Sequence, residues 1–207
     1  MSIALANSVG SFFHEVVGEA VRSRHIEATE QATSYLVALL SDFAHPDAVH
    51  EDTFDRPLTF LLDEAMRTTG AERFQRLRAL GDSTLYITGF FGEHIENRGV
   101  NVKYIVNVGA TAYHGAASML RGPSAAKDPF RAVSSDEDNV FRELAQKFEG
   151  FVEVLTEVAE TTLANQARGE RGILKLYERW QKSGSATLAK ELGARGLVPV
   201  HGSGGVH

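Results

Sequence analysis

Five prolines, Pro46, Pro57, Pro123, Pro129 and Pro199, divide the chain so that 58–122 and 130–198 contain none. Proline has no amide hydrogen to donate and its ring clashes with the preceding turn, so it interrupts helix interiors and limits where long helices can run. Inside both proline-free intervals the apolar residues recur at spacings of three and four, the period of a helix with one buried face, and not at two. The chain is therefore expected to be all-α. The expected architecture is a single-domain bundle of about seven or eight helices, counted from the periodic segments. A central helix hairpin, about 71–97 and 101–121, organises it. Residues 1–198 are read as one helical domain and 199–207 as a flexible C-terminal tail.

The pattern predicts helices over about 7–24, 29–44, 56–69, 71–97, 101–121, 135–167, 170–182 and 186–193. Val9, Phe12, Phe13, Val16, Ala20 and Val21 form the inner side of the first. Leu36, Leu39, Leu40 and Phe43 do so in the second. Asp55 is expected to cap the third helix, with Pro57 in its first turn and Gly70 stopping it. Ser134 and Glu137 fit a capping box for the sixth, and Ser185 fits an N-cap for the last. The segment 101–109 also alternates with period two, but the small residues that follow at helical spacing favour a helix. Gly81, Gly89, Gly109 and Gly115 fall inside the hairpin, where each costs up to ~1 kcal/mol relative to alanine. Close approach of two helix backbones, or space kept for a ligand, are the two accounts.

The chain of 207 residues is long enough to bury a core without covalent staples. It has no cysteine, which removes disulfides, thiolate metal sites and thiol catalysis. The eight histidines lack metal spacing: neither HExxH nor the inward-facing Glu-x-x-His pair of di-iron bundles occurs. No P-loop, GxGxxG or nucleophile-elbow motif is present, so no catalytic residue, metal or cofactor is assigned. Ala189 and Gly193 resemble the turn of a helix-turn-helix, but Pro199 cuts off any recognition helix, so no nucleic-acid partner is expected. The start of the chain lacks a basic n-region, and the longest uncharged run, 104–120, is short for a span. No membrane partner is expected, and the location is read as cytoplasmic.

Two constellations remain. Asp82 is the one charged residue in 79–92. A lone carboxylate on a buried helix is either held by Arg78, four residues earlier, or kept for a ligand; Arg78, Asp82, Tyr86 and Gly89 form the candidate ligand-binding stripe. Charge is also segregated. Residues 136–160 hold eight acidic and two basic side chains, and residues 168–195 seven basic and three acidic. Glu149, Glu153 and Glu157, with Glu160, make one helical stripe, and Arg171, Lys175 and Arg179 another. These form the candidate interaction face, for a protein partner or a second copy in a homodimer.

The run Leu77-Arg78-Ala79-Leu80-Gly81-Asp82-Ser83-Thr84-Leu85-Tyr86-Ile87-Thr88-Gly89-Phe90-Phe91 resembles a segment of a family of all-helical bacterial cytosolic proteins with no assigned activity. Tyr113 and the spacing of Trp180, Gly184, Ser185, Leu192, Gly196 and Leu197 fit the same resemblance, which covers about 70–200. It implies a bacterial cytosolic helical domain. The expected function is a non-enzymatic interaction, regulatory or structural protein. The alternative is a small-molecule-binding protein or enzyme with a pocket beside Arg78, Asp82 and Tyr86.

Overall fold

A computed structural model of the chain describes residues 2–44, 56–120 and 139–199, with 2–8 as backbone only. The described residues form nine helices and no strand. They are α1 (Ser2–Ser23), α2 (Glu30–Phe43), α3 (Leu58–Arg67), α4 (Gly70–Asn97), α5 (Val102–Met119), α6 (Val140–Gln146), α7 (Phe148–Gln166), α8 (Gly169–Ser183) and α9 (Ala186–Ala194). The chain divides into two compact units, residues 1–155 and 156–207.

In the first unit, the α4–α5 hairpin is the most extensive helix pairing, α3 packs on both its arms, and α6 packs on α5 and α2. The core is the set of positions that the helical period places inward: Val16, Leu36, Leu40, Leu77, Leu85, Ile105, Ala112 and Leu144 are all buried. Each fully buried leucine contributes ~2 kcal/mol by leaving water. Val17, absent from the expected inner face of α1, is also fully buried, whereas Phe91 is 47% exposed.

The glycines of the hairpin are explained by packing. A Cβ on Gly81 would lie 2.6 Å from the Tyr113 ring, and one on Gly109 only 2.4 Å from both Thr84 Oγ1 and Phe148 Cζ. Gly115 faces Leu77. Gly89 serves a different neighbour: its Cβ would lie 2.4 Å from that of Leu155 on α7. Space at these positions is already filled by protein. Thr84 and Thr88 enter the same crossing because their hydroxyls donate to carbonyls one turn back, Thr84 to Leu80 at 2.7 Å and Thr88 to Thr84 at 2.7 Å. Bonding back to the helix's own backbone leaves an apolar outer surface.

Several boundaries differ from the expectation. Pro57 is the N-cap residue of α3, not part of its first turn, and Gly70 opens α4 with φ +59° instead of closing α3. The helix expected over 135–167 is two helices that break at Lys147. The first begins after Asn139, whose carboxamide oxygen accepts from the amides of Phe141 and Arg142 while its Nδ2 donates to the Ala117 carbonyl. That double role ties the start of α6 to the end of α5. Gly99, with φ +76°, follows the end of α4. Glycine enters this left-handed conformation without a Cβ clash. The Asp55 cap, the Ser134/Glu137 box and the tail beyond Pro199 lie outside the described residues.

In the second unit, Leu176 and Trp180 of α8 and Leu188 and Leu192 of α9 bury themselves with Ala164 of α7. Ser185 caps α9 by accepting from the Leu188 amide, as its position predicts. It donates its own hydroxyl to Glu160 at 2.6 Å. The Arg195 guanidinium donates to the carbonyls of Ala167 at 2.7 Å and Ala164 at 2.5 Å. These are acceptors that the end of α7 would otherwise leave open. Gly193, expected at the end of α9, lies within it, and the chain turns at Gly196.

Candidate functional site

Asp82 lies on α4 where the helix meets α2 and α5. The hydroxyls of Tyr35 (α2) and Tyr113 (α5) both donate to its Oδ1, at 2.6 and 2.7 Å. Arg78, one turn earlier, places its Nε 3.4 Å from Oδ2 and 3.0 Å from the Tyr35 oxygen. The guanidinium also sits over the Tyr35 ring, 5.4 Å from its centroid, where the electron-rich face attracts a cation. Phe141 closes the cluster, edge-on to Tyr35 and tilted against Tyr113, and Phe74 meets Phe141 edge-on in turn.

This enclosure sets the chemistry. Burial raises the Asp82 carboxyl above its ordinary value of 3.8, although both tyrosines and Arg78 pull the other way. The charged form loses water that an apolar interior does not replace. Burial, together with the neighbouring carboxylate, also raises the phenols of Tyr35 and Tyr113, so both remain hydroxyl donors. A carboxylate with donors on three helices fixes the register of α2, α4 and α5.

The other stripe residues part company with Asp82. Tyr86, one turn further along α4, stacks on Phe43 of α2 (centroids 4.3 Å apart, planes 6° apart) and on Phe90. Gly89 abuts Leu155. Arg78 and Asp82 are therefore brought together, while Tyr86 belongs to an aromatic surface and Gly89 to a packing contact. Tyr35 carries no signal in the sequence, and Tyr113 stood out only by resemblance. Neither spacing nor composition links residue 35 to residue 82; the link exists only once α2 crosses α4.

A second buried carboxylate also lacks a sequence signal. Glu143 on α6 accepts from the Thr29 amide at 3.0 Å and from the Thr29 hydroxyl at 2.5 Å, and Lys147 lies 3.1 Å away. Thr29 is itself the N-cap of α2, accepting from the Ala32 amide. Lys147 also donates to the Glu27 carbonyl.

The charged stripes are not uniform surfaces. Glu149 and Glu153 are exposed, but Glu157 and Glu160 are buried, with Glu160 taken up by Ser185. Arg171 and Lys175 are exposed and Arg179 is half-buried. His114 is exposed, on the outer side of α5. Among the described residues no three His, Asp or Glu side chains converge as a metal site, and no helix is long and apolar enough to cross a membrane.

Among the cavities of the first unit's described residues, two of ligand size are not lined by the Asp82 stripe. One of about 650 Å³ lies between the α1–α2 turn, α5 and the α6–α7 junction, beside His25, Asn107, Lys147 and Glu149. The other, of about 490 Å³, lies where the start of α3 meets the end of α4 and the start of α5. Comparison of the chain with protein-family models, curated proteins and solved structures gives no match.

Proposed function

We propose that this is a non-enzymatic interaction protein of the bacterial cytoplasm that self-associates through the aromatic face shared by α2 and α4. Phe43, Tyr86, Phe90 and Phe91 carry this reading. They form a continuous set of ring contacts that is only partly buried, with Phe91 at 47% exposure. Clustered exposed aromatics mark interaction surfaces, and rings supply much of the energy at interface centres.

The occupant is a second copy of the chain. A two-fold interface must be complementary to itself. An uncharged aromatic patch meets that demand, whereas the charged surfaces of a chain with net charge −6 repel their own copies. Residues 83–92 carry no formal charge and Asp82 is enclosed, so like-charge repulsion is absent from this run of α4.

Sedimentation equilibrium of the wild type and of Phe91→Glu tests the reading. The wild type is expected to dimerise with little dependence on salt. The variant should be monomeric with an unchanged helical circular dichroism spectrum, since position 91 is exposed. A wild type that stays monomeric at all concentrations overturns the proposal. A dimer that dissociates steeply with salt would instead place the contact on the charged residues Glu149, Glu153, Arg171 and Lys175.

A further inference from the structure

The cleft of about 490 Å³ belongs to neither the Asp82 cluster nor the aromatic face, and its size is that of a small-molecule site. Leu58, Ile87, Ile95 and Ile105 supply aliphatic walls from three helices. Arg98 and His94, from the last turn of α4 and its cap, line the same cleft, and among the described residues no acidic side chain does. Two further polar groups there are already engaged. Arg56 pairs with Glu64 at 3.0 Å, and the Tyr104 hydroxyl accepts from the Thr59 amide, at the start of α3, at 3.1 Å. Among the described residues, the Arg98 guanidinium makes no ion pair or hydrogen bond of its own, unlike Arg56, Arg67, Arg76 and Arg78.

We infer that this cleft binds a small organic carboxylate, its aliphatic body against the isoleucines and its carboxylate on Arg98. The pairing follows from complementarity. An aliphatic wall gains by excluding water from a hydrocarbon chain, and a guanidinium matches a carboxylate with two parallel hydrogen bonds. An inorganic anion would leave the walls unused, and a neutral hydrocarbon would leave the guanidinium unused.

Isothermal titration calorimetry on the full chain tests this with octanoate, 1-octanol and inorganic phosphate as probes. Octanoate is expected to bind at least about tenfold more tightly than octanol, the scale of one lost charge-assisted contact. Phosphate is expected not to displace it. Arg98→Ala should lower octanoate affinity to that of octanol while leaving octanol binding unchanged. Val100→Glu should weaken octanoate by a similar factor through repulsion. This cleft residue is 45% exposed and therefore free to change without unfolding the chain. Failure of octanoate to bind, equal affinity for octanol, displacement by phosphate, or octanoate binding unaffected by both substitutions would each overturn the inference. Arg98→Ala is expected to sediment as the wild type does, so a failure of this inference is read separately from a failure of the dimer reading.

Discussion

Asp82 and Glu143 are both largely buried carboxylates of the first unit, with side-chain exposures of 17% and 11%, yet their acidities move in opposite directions. Burial is the largest influence on each and pushes both upward. For Asp82 it prevails, because the carboxyl is set deep in the ring-lined interior, where the two phenols and Arg78 do not offset the water it has lost. For Glu143 it does not. The Thr29 hydroxyl, the Thr29 amide and the Lys147 ammonium together hold it below its ordinary 4.5. Thr29 stands at the start of α2, where the helix dipole favours negative charge. Exposure alone thus says little about a carboxylate. Each of these has two neutral donors and one cation, so the contrast lies in where they stand: at a helix start for Glu143, within a ring-lined interior for Asp82.

The largest test breaks the Asp82 side of this contrast and spares the other. Gly81→Leu drives a side chain into the Tyr113 ring and should push its hydroxyl off Asp82. A loss of about 3 kcal/mol in urea denaturation is expected, at the upper end of overpacking costs. An unchanged melting temperature would show that no close approach exists there. Next, Asp82→Ala leaves the hydroxyls of Tyr35 and fully buried Tyr113 without their acceptor. It should cost about 2 kcal/mol, the penalty of unsatisfied buried donors. A loss below about 0.5 kcal/mol, the scale of ordinary surface changes, would show that the cluster does not hold the helices.

The pH dependence sharpens the contrast directly. Asp82 is raised in the folded chain, so the fold binds its proton more tightly than the unfolded chain does. Its contribution is most favourable below 3.8 and is lost as pH rises through the folded value. Glu143 is lowered, so its contribution is present above 4.5 and is lost as pH falls through the folded value. Chemical denaturation between acid and neutral pH should therefore show the wild type losing ground to Asp82→Asn as pH rises and gaining ground on Glu143→Gln. Slopes of the same sign would dissolve the distinction. The smallest effect is expected from Lys147→Met, which removes a partly exposed pair one helical turn apart. Its loss should cost about 0.5 kcal/mol, as exposed helix pairs do. A cost several times larger would mean that the Lys147 contact with the Glu27 carbonyl, rather than the ion pair, secures the α1–α2 turn.

Helix positions were largely legible in the chain because helical periodicity and capping are local. The spacing of Leu36, Leu39 and Leu40 announces the inner face of α2, and Ser185 announces α9. The Arg78–Asp82 proximity was legible for the same reason, since one turn separates them. Boundaries that depend on contacts outside the helix were not. The start of α6 at Asn139 is set partly by α5, through the Ala117 carbonyl. The acidic stripe shows the same limit: 149, 153, 157 and 160 do share a helical side, but Glu157 and Glu160 are buried in the second unit, Glu160 against the cap of α9.

The all-α class, the hairpin of α4 and α5 and the oddity of Asp82 can thus be read along the chain, because proline placement, apolar period and a lone charge need no partner to be recognised. Helix packing is what encloses Asp82 between Tyr35 and Tyr113, sets Gly89 against Leu155 and opens the cleft lined by Arg98, Ile87 and Ile105. Each of those depends on residues far apart in the chain, and their meeting is fixed by how whole helix faces pack rather than by any spacing along one of them.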